Sequence, residues 1–98
     1  MVQFRLTIDS SNWTDIPVPS SPTGGFKKIV VANRVNGAND AYLRTNKLDP
    51  VTESDVPAGT DDPLTRSDDM RRRWNPGDVP GSLKSVTGSF DVIIRCYQ

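Results

Sequence analysis

The densest chemistry in this sequence lies in DDMRRRW, Asp68–Trp74. Three consecutive arginines beside an indole could hold nucleic-acid phosphates while Trp74 stacks on a base. The same arginines could instead grip carboxylates through the planar guanidinium fork, on this chain or on a neighbour. In extended backbone Met70, Arg72 and Trp74 share one face and Asp69, Arg71 and Arg73 the other. The four-residue spacing of Met70 and Trp74 also permits a short helix. Charge decides between the two readings. Lys+Arg and Asp+Glu each number 12, a net charge of zero, whereas a phosphate reader carries a basic excess or a basic face. Beyond the arginines the other basic cluster is Lys27-Lys28, while Asp49, Glu53, Asp55, Asp61 and Asp62 supply carboxylates nearby. Carboxylate pairing is therefore preferred and nucleic acid disfavoured. The candidate interface residues are Trp13, Asp61, Asp62, Arg71, Arg72, Arg73 and Trp74, with Trp74 as the anchor.

Other constellations carry less. The acidic segment DPVTESDVPAGTDD lacks the loop spacing that gives calcium its six to eight oxygen ligands, so no metal is expected there. Trp13, Tyr42, Trp74 and Tyr97 could stack on sugar rings. In so small a core, tryptophans packing the edges of a sheet sandwich are the stronger reading. Gly24-Gly25 precedes a strand-like run and no Gly-Lys-Ser/Thr follows, so a turn is expected there and not a phosphate loop. The chain has no histidine, and no serine lies in a nucleophile elbow. The paired carboxylates lack a glycosidase framework. Cys96 is the single cysteine, which rules out an internal disulfide and a thiolate metal pair. A non-enzymatic protein without cofactor is expected.

The elements that must position these residues are short. The chain has 98 residues, 35% of them apolar, with eight prolines and seven glycines as punctuation. That composition suits one domain over 1–98 built from many short strands. Val2, Phe4, Leu6 and Ile8 alternate with Gln3, Arg5 and Thr7, the pattern of a half-buried strand. SSNWTDIPVPSSPTGG is turn chemistry, its prolines forbidding a central strand. A second strand is expected over Phe26–Asn33, where the apolar run is continuous. AYLRTN, Ala41–Asn46, follows the Asn36-Gly37 turn signal and is expected to return as its hairpin partner. Residues 47–63 read as a long acidic loop, with a further strand possible in PLTRSDDMRRRW. SLKSVT and SFDVIIRCY close the chain as strands, Phe90, Val92, Ile94 and Cys96 alternating with Asp91, Ile93, Arg95 and Tyr97. The fold class expected is all-β, a single antiparallel β-sandwich or jelly-roll-like domain with long polar loops. No export signal or membrane-spanning run is expected from the sequence.

Taken in order, the alternating first strand, TDIPVPSSPTGGFKKIVVAN, AYLRTN, the acidic Pro/Gly segment and VPGSLKSVTGSFDVIIRCY resemble a known pattern. It is that of the small β-sandwich structural proteins of tailed-bacteriophage virions. In that group a strand ending in Asn leads to a YLRT-like strand, and the chain closes on Gly-Ser-x-Lys-x-x-x-Gly-x-x-x-Val. Here these are Asn33, Tyr42–Thr45 and Gly81–Val92. The resemblance implies a virion protein made in the host cytoplasm, a capsid decoration (cement) subunit or alternatively a neck, tail or fibre component with a receptor- or glycan-binding face. It implies no catalytic residues, the major capsid protein or neck and tail proteins as partners, and a homo-oligomer without membrane contact. The contact elements expected are 10–25, 47–63 and the arginine strand.

Overall fold

The structure, a computed structural model, describes residues 1–21, 24–34, 39–45, 52–65 and 73–98. Within them lie eight strands and no helix: β1 (Val2–Ile8), β2 (Thr14–Asp15), β3 (Lys28–Ala32), β4 (Ala41–Thr45), β5 (Thr52–Val56), β6 (Asp61–Thr65), β7 (Gly81–Ser85) and β8 (Phe90–Tyr97). They form two antiparallel four-stranded sheets, ordered β1-β8-β3-β6 and β2-β7-β4-β5. The pairing is nested. The first strand pairs with the last, the second with the seventh, the third with the sixth and the fourth with the fifth. An eight-stranded hairpin wound across two sheets is the jelly roll.

Side-chain alternation builds the core between the sheets. β8 buries Phe90, Val92, Ile94 and Cys96 and leaves the residues between them half-exposed, as its sequence pattern requires. Ile29, Val31 and Leu64 join them from the same sheet, and Leu43, Val56 and Leu83 from the other, all 0–1% exposed. β3 is buried on both faces, Val30 and Ala32 included, which explains its unbroken apolar run. Phe26 and Trp74 join this core, each donating a backbone N–H to the other's carbonyl at 3.0 and 2.9 Å. Gly25 makes that approach possible. Its φ is 113°, and a Cβ there would lie 2.6 Å from the Trp74 carbonyl oxygen, closer than any side chain can sit. Gly81 plays the same part in β7, where a Cβ would fall 2.8 Å from the Arg44 carbonyl.

Three expectations are corrected. Phe26–Asn33 and Ala41–Asn46 do not form a hairpin, because β3 and β4 lie in different sheets. β3 takes a central place in its sheet, between β8 and β6. β4 alternates and takes a place with one solvated face. The segment 47–63 is not one loop, since it contains β5 and the start of β6. Both are edge strands, where acidic side chains keep the open ladder from pairing and where Pro63 costs no central hydrogen bond. Finally, the Pro-rich segment is not turn throughout. It holds a two-residue edge strand, Thr14–Asp15, ending before Pro17, while the bar its prolines set against a central strand stands among the described residues.

Polar residues fasten the two layers. Asn33, fully buried at the end of β3, donates from Nδ2 to the carbonyls of Asn39 (2.8 Å) and Val56 (2.9 Å). Its backbone N–H donates to the Thr60 carbonyl, and its own carbonyl accepts from Gly59. One side chain thus ties β3 in one sheet to β5 in the other. At the same flank the Ser54 hydroxyl donates to Asp62 Oδ2 at 3.2 Å, bridging the edge strands β5 and β6.

Candidate contact surface

The outward face of the β2-β7-β4-β5 sheet gathers charge and aromatic surface into two cross-strand rows. In the first row Asp15, Ser82, Arg44 and Glu53 stand side by side on the four strands. The Ser82 hydroxyl donates to Asp15 Oδ1 at 2.6 Å. Arg44 donates from Nε and from its terminal Nη2 to Glu53 Oε1, at 3.1 and 2.8 Å. In the second row Lys84, Tyr42 and Asp55 are neighbours, and Trp13, two positions before Asp15, closes the row on the β2 side. The Arg44 guanidinium lies 4.3 Å from the centre of the Trp13 ring and the Lys84 ammonium 6.0 Å from it. Stacked cations of this kind contribute about 0.5–1 kcal/mol at exposed sites, and the exposed Arg44–Glu53 pair about 0–1 kcal/mol. Trp13 is half-buried beside them, and Tyr42 in the same row is 43% exposed. Trp, Tyr and Arg together are the composition of contact surfaces.

The residues singled out from the sequence are distributed over the molecule. Trp13 belongs to this face. Asp61 and Asp62 lie on β6, at the edge of the other sheet. Asp61 accepts from Arg34 Nε at 2.8 Å, and Asp62 accepts from Ser54 as described. The structure does not bring these two carboxylates to Trp13. Arg71 and Arg72 lie outside the described residues, so the arginine strand and its pairing with carboxylates are not seen. Arg73 is half-buried, its Cβ against Gly25. Trp74 is 1% exposed and packs in the core, so its indole is neither an exposed platform nor a surface anchor. Of the carboxylates weighed as partners for the arginines, Glu53 and Asp61 are taken by Arg44 and Arg34.

Sequence reasoning missed Arg44 and Lys84 as members of a site, and reached Asp15 and Glu53 only through the contact segments 10–25 and 47–63. Parity within YLRT sets Tyr42 and Arg44 on one face. What was absent was the register that lays β2 and β7 alongside. The Cys96 thiol, on the inward face of β8, is pushed up to about 11 by burial, so at neutral pH it is a packed thiol without nucleophilic character. Comparison with known proteins finds no match: no family model, no curated protein and no solved structure corresponds to this chain.

Proposed function

We propose that this protein is a non-enzymatic structural subunit of a tailed-bacteriophage virion, a capsid decoration (cement) protein that docks on the assembled head. The observation that carries the reading is the nested eight-strand jelly roll, an architecture on which viral capsid and lectin domains are built. A fold hosts many functions, and the surface narrows the choice. The Trp13–Arg44–Tyr42 face is suited to protein contact, and the net charge of zero supports packing beside copies of itself rather than along a phosphate backbone. The resemblance of Asn33, Tyr42–Thr45 and Gly81–Val92 to virion β-sandwich proteins points the same way. A cement subunit stabilises the shell by binding its folded, assembled form.

Cosedimentation with purified shells is the test. The protein is expected to bind in many copies and to raise the shell's melting temperature. Trp13→Ala and Arg44→Ala are expected to weaken binding about tenfold or more while their circular dichroism stays native. Shells that neither bind nor gain stability would sink the reading. The second reading is a neck, tail or fibre component. It is favoured by the pairing of Trp13 and Tyr42 with Asp15 and Asp55 on one face, a combination that also suits sugar rings, and a glycan array reads it directly.

A further inference from the structure

Each sheet has two edges, and three of the four are blocked. β2 is two residues long, with Pro17 and Pro19 just after it. β5 presents Glu53, Ser54 and Asp55 in succession, and β6 carries Pro63 within the strand beside Asp61 and Asp62. Short length, proline and charge are the devices by which proteins keep sheet edges from pairing. β1 has only one of them, the single charge of Arg5. It runs seven residues, Val2–Ile8, without proline, glycine or acidic side chain, and pairs only with β8 among the described residues. Its inward row is also incomplete. Ile8 is fully buried, but Val2, Phe4 and Leu6 are only half-covered and pack against the margin of the core.

We infer that the β1 edge is the seam of a symmetric dimer, in which β1 pairs antiparallel with β1 of a second copy. This rests on the homo-oligomer part of the reading above. The strand's own sequence specifies the occupant. Paired about Phe4, Val2 stands against the second copy's Leu6, Phe4 against Phe4, and Gln3 against Arg5. Apolar then meets apolar on the inward face and a neutral amide meets the one charge on the outward face. Pairing about Arg5 would set like charges opposite each other, which is destabilising. A slip by one residue would turn the apolar row to solvent. The contact is isologous and closes on itself, and it joins two four-stranded sheets into one across the axis.

Gln3 and Arg5 are exposed, so changing them tests the seam without cutting into the core. Sedimentation equilibrium of the full chain is expected to show a dimer. Gln3 already accepts from Arg95 Nε of its own chain at 3.3 Å. Gln3→Arg therefore sets two like-charge pairs across the axis and one within each copy, and it is expected to weaken the dimer roughly three- to tenfold. Gln3→Lys, measured for monomer stability by denaturant titration, separates the within-chain part. The double variant Gln3→Arg with Arg5→Glu is expected to restore it, because arginine then faces glutamate. Amide hydrogens of β1 should slow in exchange above the dimer's dissociation constant and speed up below it. A chain that stays monomeric at every concentration would overturn the inference. So would a dimer indifferent to Gln3→Arg, or β1 amides protected only on the shell, which would give the edge to a capsid strand. Shell binding is measured separately, so a capsid-binding monomer sinks the seam alone, and a dimer that ignores shells sinks the cement reading alone.

Discussion

Asn33 shows how one polar side chain can decide whether two layers hold together. Its Nδ2 satisfies two carbonyls, those of Asn39 and Val56, from a fully buried side chain. Asn33→Ala strands both acceptors, at about 1–3 kcal/mol each when buried. The expected loss is about 2–4 kcal/mol, which in a domain of this size lowers the melting temperature by roughly 10–30 °C. Asn33→Asp keeps the shape but offers no donor and brings a charge, so it should cost more than alanine. Calorimetry on the two variants checks this, and an aspartate tolerated better than alanine would remove the donor argument. Cys96 gives the residue scale a pH signature. Burial raises its folded value from 9.0 to about 11, so the neutral thiol belongs to the native state. The contribution is therefore intact below about pH 9 and declines as pH rises toward about 11, because the unfolded chain ionises first. Denaturant titrations across that window should show a loss in the native protein that Cys96→Ala lacks. Parallel curves for the two would refute the assignment.

At the scale of the element, alternation and apolar continuity were readable wherever a strand has one clear inside. Val2–Ile8 and Phe90–Tyr97 follow from period two alone and Lys28–Ala32 from its unbroken apolar run, while Ala41–Thr45 and Gly81–Ser85 overlap the stretches AYLRTN and SLKSVT expected as strands. β5 was not readable and β6 only at its end, where a strand was possible from Pro63 on, because TESDV and DDPLT carry the residues that usually mark loops. They are strands because an edge needs only one inward apolar residue each, Val56 and Leu64, and uses the acids as protection. Asn36-Gly37 lies outside the described residues, but the hairpin expected from it fails for a related reason. A turn dipeptide reports that the chain reverses, and it does not report whether the next strand returns to the same sheet. The contact surface suffers the same limit. Trp13 and Arg44 meet because β2, β7 and β4 lie side by side, a juxtaposition set by pairings between distant segments. The arginine run drew notice through local density of charge, while Trp74, its supposed anchor, is held in the core by Phe26 and Gly25.

Nesting governs the molecule as a whole. Closing β1 on β8 directly would join the two ends of the chain, whereas β4 and β5 are consecutive strands. Loop-closure entropy rises with the length enclosed, so the least costly route forms β4–β5 first and then adds β3–β6 and β2–β7. Each inner pair shortens the loop the next must close. β1–β8 comes last, and folding dominated by such distant pairs should take milliseconds to seconds, in the range of roughly 0.001–1 s for β-sandwiches. The order has a kinetic signature. Leu43→Ala, in β4, removes a fully buried side chain from the first pair and should act mainly by slowing refolding. Leu6→Ala, in β1, touches the last pair and should act mainly by speeding unfolding. Stopped-flow chevrons, run below the concentration at which copies associate, separate the two limbs. If Leu6→Ala slowed refolding while Leu43→Ala left it unchanged, closure would run from the termini inward. The half-covered β1 edge would then form early, and it would be exposed to other chains throughout the remainder of folding.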